Sequence, residues 1–196
     1  MAQRIAIIGT SGAGKTTLSR ELARRIGGVF IEVDALAHKA NWVNATDEEL
    51  RAGIDAAMAG TDRWVIDGTF RRRLGDFVTA RTDLIVWLDL PLPTILLRLL
   101  RRSWRRVRTR EVLWHGNIET WRDVCIGRDS VLIGAIWRHV RNRREWSQNP
   151  DRERILRLRT PAEVGNWLAT CSAEAAGPAK TQRGNASPTL DTGGAG

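Results

Sequence analysis

Read as a pattern of apolar and polar positions, the chain alternates short apolar runs with stretches of helical period. Ile5–Ile8 is an unbroken apolar run, as expected of a strand buried on both faces, and a glycine-rich turn follows it. Leu18, Leu22 and Ile26 then recur at helical spacing over Thr16 to Ile26, and Gly27-Gly28 predicts the stop. Val29–Val33 predicts a second strand ending at Asp34. Thr46 to Met58 predicts a helix, because Thr46 can cap it and Glu49, three residues on, completes a capping box. Trp64-Val65-Ile66 predicts a third strand ending at Asp67-Gly68, and Leu84–Leu88 a fourth ending at Asp89. Thr94 opens a helix that runs into an arginine-rich region. Ile155–Leu158 is a short fifth strand, and Pro161 to Leu168 a final helix with proline in its first turn. Strands alternating with helices predict an α/β fold, a mostly parallel sheet with helices on both faces.

From about Ser172 onward small and polar residues replace the large apolar ones. The expectation is one domain over 1–171 and a disordered tail over 172–196. Two cysteines, Cys125 and Cys171, are too few for a disulfide framework. The most apolar stretch, Leu84 to Leu100, is broken by Asp89, Pro91, Pro93 and Arg98, so no membrane span is expected. No apolar signal-peptide core follows Met1, and a cytoplasmic location is expected.

Charge changes the picture more than composition does. The formal net charge is +9, and Lys15, Lys39 and Lys180 are the only lysines among 31 basic residues. Between Arg98 and Arg159 stand 17 arginines and seven acidic residues, so this one segment carries the whole excess. It must face something anionic or stay solvated; nucleic acid, membrane phosphates and nucleotide phosphates all qualify.

The strongest chemical signal is Gly9-Thr10-Ser11-Gly12-Ala13-Gly14-Lys15-Thr16, which matches GxxxxGK[ST] between a predicted strand and a predicted helix. Small residues let successive backbone N–H groups curl around a phosphate, and the positive end of the following helix points at the same anion. Gly9, Ser11, Gly12, Ala13, Gly14, Lys15, Thr16 and Thr17 are the expected nucleotide-binding residues. Lys15 can reach the β- and γ-phosphates of ATP, and the Thr16 hydroxyl can ligate Mg²⁺. A carboxylate at a neighbouring strand end would complete the metal site, and spacing alone leaves Asp67 and Asp89 both open. Asp34 would lie at the same carboxyl edge, where open α/β sheets bind ligands. The guanine signature NKxD and an ABC-type signature are lacking, and the chain is short for a hexameric motor module. A small phosphotransferase remains.

The chain resembles the adenylate-kinase-like P-loop kinases, most closely the small proteins labelled DNA topology modulation proteins. The resemblance rests on Ile5–Lys15, Ile31-Glu32-Val33-Asp34-Ala35-Leu36, Trp64-Val65-Ile66-Asp67-Gly68-Thr69-Phe70 and Leu113-Trp114-His115-Gly116-Asn117-Ile118-Glu119, and covers roughly residues 3–170. It implies a P-loop nucleoside-kinase-like three-layer fold, with a five-stranded parallel sheet in the order 2-3-1-4-5. It also implies a helical arginine-rich lid, expected at about 101–146. It makes Asp67 the metal-holding carboxylate and turns Asp34 toward the phosphate acceptor, as in shikimate-kinase-like relatives. Asp89-Leu90-Pro91 followed by Arg98 and Arg102 is similar to the adenylate kinase run whose arginines open the lid and contact the ATP phosphates. The region after Gly68 lacks the FPR of nucleoside monophosphate kinases, so the acceptor need not be AMP.

For Arg98–Arg144 three readings compete: a lid over the triphosphate, a solvated amphipathic pair of helices, and a nucleic-acid surface that alternates Arg and Trp. Leu96, Leu99, Leu100, Trp104 and Val107 share one helical face, so Trp104 is expected in the core, and Val131, Ala135, Trp137 and Val140 make the next helix broadly apolar. The lid reading is preferred on that spacing. Arg138 and Arg141 are further lid candidates, and His115 is expected as a surface or capping residue. The expected reaction is transfer of the ATP γ-phosphoryl group to a nucleotide-like or other small acceptor; the alternative is a regulatory ATP-binding protein acting on nucleic acid.

Overall fold

The computed structural model describes residues 2–125, 130–149 and 152–175. In chain order it runs β1 (Arg4–Gly9), α1 (Lys15–Ile26), β2 (Val29–Glu32), α2 (Val33–Ala37), α3 (Asp47–Met58), β3 (Trp64–Asp67) and α4 (Arg71–Leu74). There follow β4 (Leu84–Leu88), α5 (Leu92–Thr109), α6 (Trp121–Cys125), α7 (Val131–Ser147), β5 (Ile155–Leu158) and α8 (Pro161–Ala175).

The five strands form one parallel sheet in the order β2-β3-β1-β4-β5, as the resemblance implies. Its register pairs Ile7 with Asp67 on one side and Val86 on the other, while Glu32 pairs with Asp67. The carboxyl ends of β1, β2 and β3 therefore meet along one edge. Alternation splits β1 between two cores. Ile5 and Ile7 pack with Val65, Val86 and Leu88 under Leu18, Leu22 and Ile26 of α1 and Cys171 of α8. Ala6 joins Ile31, Trp64 and Ile66 against Val33, Leu50 and Ile54 of α2 and α3. Ile8, Ile85 and Trp87 meet Trp146 of α7. Each buried Val, Leu or Ile side chain here contributes about 1.5–3 kcal/mol by leaving water, and the sheet cannot slip by one residue without exchanging the two faces. No helix among the described residues is long and apolar enough to cross a membrane.

Four departures from expectation bear on the architecture. β2 ends at Glu32, and Val33 turns inward to start α2, so Asp34 lies in a helical turn and not at a strand end. α5 begins at Leu92, with Pro93 in its first turn where a missing N–H costs nothing, two residues before Thr94. α8 continues through Ala175, and its Cys171 is buried in the core beneath α1. It thus runs four residues into the segment expected as tail; the remainder, 176–196, lies outside the described residues. The fourth departure is a correction. On α5 the inward face is Ile95, Leu99 and Ser103, whereas Leu100 and Trp104 are 43% and 52% exposed. On α7, Trp137 is 72% exposed. Periodicity located the apolar stripe of each helix but not the side on which the rest of the molecule stands.

Candidate functional site

The turn between β1 and α1 is built by close approach. Gly12, at φ +88°, faces α5 so tightly that a Cβ would stand 2.7 Å from the Ile95 carbonyl oxygen and 3.1 Å from the Leu99 Cβ. Gly9, at φ +149°, is pressed against the Leu88 carbonyl of β4 in the same way, at 2.8 Å. Inside the loop the Ala13 amide donates to the Thr10 carbonyl at 3.0 Å. Gly14, at φ +96°, precedes Lys15 without any side-chain cap, and the first turn of α1 holds no acidic residue. Its leading N–H groups thus remain available to an anion at the positive end of a twelve-residue helix. Ser11, Lys15 and Thr16 are half-buried around this turn, Ala13 is buried, and Thr17 is exposed one position further along α1.

Asp67, at the end of β3, is 4% exposed. Its Oδ2 accepts a hydrogen bond from the Thr16 hydroxyl, and its Oδ1 is buried with no partner. Burial pushes the Asp67 carboxyl above the ordinary carboxylate range, against the opposing pull of Lys15 and the Thr16 hydroxyl, while Asp34 and Glu32 push it further up. A buried carboxylate with an unsatisfied oxygen beside a hydroxyl fits a hard divalent cation, which takes one or two protein oxygens and completes its shell with phosphate and water. Among the described residues no group of three or more His, Cys, Asp or Glu could hold a metal by itself, so the phosphates would have to supply the remaining ligands.

Asp89, the other candidate from spacing, is saturated by protein. Its Oδ1 accepts from Arg143 Nε at 2.7 Å, and its Oδ2 accepts from Arg157 Nε at 3.0 Å and Nη2 at 2.5 Å. It ties α7 and β5 to the end of β4. Asp89 thus has both oxygens engaged by arginines, whereas Asp67 keeps one oxygen without a partner.

The arginines of α5 divide along the helix. Arg98 reaches the phosphate-loop side, donating from Nη1 to the Ala13 carbonyl at 3.3 Å. Arg106 reaches the other end, with Nη1 3.3 Å from Glu119 and Nε 3.4 Å from Glu111. Arg102 lies between them, half-buried; desolvation, and then the neighbouring charge of Arg106, hold its guanidinium below the ordinary value, and Glu119 and Asp34 oppose that. Arg138 of α7 is held down by desolvation and by Arg141, and is likewise opposed by Asp34. Arg141 is exposed.

The stretch Leu113–Glu119 turns out to be a clamp. Asn117 is buried; its Oδ1 accepts from the Trp42 amide at 3.0 Å and its Nδ2 donates to the Lys39 carbonyl at 2.9 Å. Glu119 is buried too, accepting from Ser103 Oγ at 2.5 Å and from Arg106. His115, exposed and at φ +55°, sets its Nε2 3.1 Å from the Ala35 carbonyl. It therefore braces the segment that carries Asp34. Asn117, Glu119, Arg143 and Arg157 escape sequence reasoning as positioning residues; the quoted motif around Gly116 marked the first two without telling what they hold.

The fold is P-loop kinase-like. A crystal structure of a gluconokinase from Sinorhizobium meliloti 1021 superimposes with a TM-score of 0.51 at 18% identity, over 88% of this chain and 91% of that one. Shikimate kinase from Acinetobacter baumannii in complex with shikimate gives 0.51 at 16% identity over 90% and 94%. A sugar kinase from Janibacter sp. HTCC2649 gives 0.50 at 20% over 89% and 92%. At these identities the likeness is one of fold. A family model described as an AAA domain matches residues 5–122, and the chain belongs to that family. No curated protein matches the sequence. The narrower resemblance to DNA topology modulation proteins finds no support in these matches.

Proposed function

We propose that the protein is an ATP- and Mg²⁺-dependent kinase that moves the γ-phosphoryl group of ATP to a small-molecule acceptor. The observation that carries this reading is the Thr16–Asp67 pair beneath the phosphate loop, with one Asp67 oxygen buried and unclaimed. Names borne by the neighbouring structures, a gluconokinase, a sugar kinase and a shikimate kinase, support a small acceptor. The loop amides from Gly9 to Thr16 and the Lys15 ammonium bind the phosphates, and Arg98 adds charge from the α5 side. Thr16 and Asp67 would hold Mg²⁺, which supplies charge neutralisation to the transferring group. Asp34, on α2, accepts the hydrogen bond of the acceptor hydroxyl. As that oxygen bonds to the γ-phosphorus, the bond to the β,γ-bridging oxygen breaks and the hydroxyl proton passes to Asp34. The arginine-rich segment around 101–146 is the lid of this site, within a single domain, and the setting is a cytoplasmic one.

A screen with γ-labelled ATP over nucleosides, nucleotides, sugars and sugar acids tests the reading. Transfer to at least one acceptor is expected, and Lys15→Ala should abolish it while the circular dichroism melt is kept. Background turnover across the panel would overturn the reading.

A second reading rests on the exposure of Trp104 and Trp137 among arginines, which suits stacking on nucleic-acid bases. It requires tight, salt-sensitive duplex or single-strand binding without phosphoryl transfer.

A further inference from the structure

We propose that the outer face of α5, together with Trp121 of α6, docks the protein on the surface of an anionic phospholipid bilayer. Leu97, Leu100 and Trp104 stand on the side of α5 away from the core, and all three are exposed. They span seven residues, about 10 Å of helix. Leu100 and Trp104 meet Trp121, itself exposed, along a groove of about 530 Å³ whose other walls are Arg101 and Arg105. Arg108 sets its guanidinium 5.0 Å from the centre of the Trp104 ring. Between Asp89 and Glu111 the chain has seven arginines and no acidic residue. Among the described residues, Arg105 alone of Arg101, Arg105 and Arg108 has an ion-pair partner, Glu111 at 3.2 Å.

An exposed apolar stripe that includes an indole ring and has cations beside it is the pattern of a helix lying in a bilayer interface. The leucines and indole rings enter the acyl boundary, while the arginines lay their stems along it and hold their charge among headgroup phosphates. Other occupants fit this face less well. A second copy docked by the same face would set Arg101, Arg105 and Arg108 against their own counterparts. Nucleic acid would engage the arginines and the rings but leave Leu97 and Leu100 bare. The stretch 176–196 has one large apolar residue, Leu190, and a net charge of +1, so it offers neither an apolar cover nor a counter-charge. Ile95 and Leu99, against which Gly12 packs, are on the opposite side of α5, so contact at the outer face leaves the phosphate loop uncovered. The inference is thus independent of the kinase reading.

The test is co-sedimentation of full-length protein with vesicles of phosphatidylcholine alone and of phosphatidylcholine with about 30% phosphatidylglycerol, at an ionic strength of about 0.1 M. Binding to the anionic vesicles is expected, with binding to the neutral ones about tenfold weaker or less. Arg101→Gln should lower the affinity for anionic vesicles about fivefold. Leu100→Gln and Trp104→Gln, which leave the charge unchanged, should each lower it about tenfold. Arg72→Gln, which removes the same charge from the exposed side of α4, should stay within about twofold. The charge-preserving variants separate docking by this face from the general attraction of a protein of net charge +9 to an anionic surface. Melts of all variants exclude unfolding as the cause. No binding to anionic vesicles, equal binding to both kinds, or unchanged affinity in Leu100→Gln and Trp104→Gln would overturn the proposal. So would a dimer that Trp104→Gln dissolves, or Trp104-dependent binding of an oligonucleotide or an acidic amphipathic peptide in place of vesicles.

Discussion

Asp67, at the end of β3, and Asp89, just after β4, stand on either side of β1 along one sheet edge and should respond in opposite ways to loss of charge. The Asp89 side chain is 1% exposed and takes three hydrogen bonds from Arg143 and Arg157, whose own side chains are 49% and 31% exposed. Asp89→Ala leaves two guanidinium groups facing an empty buried position. Breaking a buried pair from one side costs about 3–5 kcal/mol, and because both arginines reach water the lower end, about 3 kcal/mol, applies. For a domain of this length each kcal/mol shifts Tm by about 2–4 °C, which gives a loss of about 6–12 °C. Arg157 would also lose its fixed seat over the Trp87 ring, 4.2 Å away, which is a further measure of how much depends on one carboxylate. Nucleotide affinity at 10 °C, where the variant is folded, should remain near that of wild type.

Asp67→Asn should show the reverse. Burial raises the Asp67 pKa above its unfolded value, so its contribution to stability is full below the unfolded pKa and is lost as pH rises through the folded one. Once ionised, the buried carboxylate therefore works against folding. Asp67→Asn should melt at or above the wild-type temperature while losing phosphoryl transfer. Scanning calorimetry and nucleotide titration on both variants decide the matter. An Asp89→Ala protein that melts within about 2 °C of wild type, or one that keeps its melt but loses nucleotide binding, would refute the assignment of roles.

Gly12→Ala places a methyl group 2.7 Å from the Ile95 carbonyl at a φ that favours glycine, and it should cost at least about 1–2 kcal/mol of stability together with nucleotide affinity, read by a urea melt and an ATP-analogue titration. Thr46→Ala removes a capping box in which the Thr46 hydroxyl accepts from the Glu49 amide at 3.2 Å; a loss of about 0.5–2 kcal/mol without change in activity is expected. Trp64→Ala, in the core under α3, should cost about 3–5 kcal/mol, whereas Trp137→Gln at the surface should stay within about 0.5 kcal/mol of wild type.

The sheet was legible because parallel strands are buried on both faces and so stand out as unbroken apolar runs; β4 and β5 match expectation residue for residue. The phosphate loop was legible because its chemistry is local, needing only small residues and a lysine at fixed spacing. What was not legible depends on contacts distant in sequence. Asp89 meets Arg143 and Arg157 across separations of 54 and 68 residues, and nothing near Asp89 announces them. The orientation of α5 misled for a related reason. Its inward face carries the buried Ser103 beside Leu99, with Arg102 and Arg106 half-buried, while Leu100 and Trp104 are exposed. A helix that lines a polar site shows an amphipathic pattern whose polar side can be the inner one.

The bonds of Asn117 have a mechanical consequence. By holding the Trp42 amide and the Lys39 carbonyl, this one amide fastens the arginine-rich segment to the loop behind Asp34. The segment is also rooted at α5 and moored through Arg143 to the sheet edge. His115, set against the Ala35 carbonyl, adds a further tie, so the segment is held at several points along its length rather than at one hinge. Any outward swing of the segment has first to break the two Asn117 hydrogen bonds.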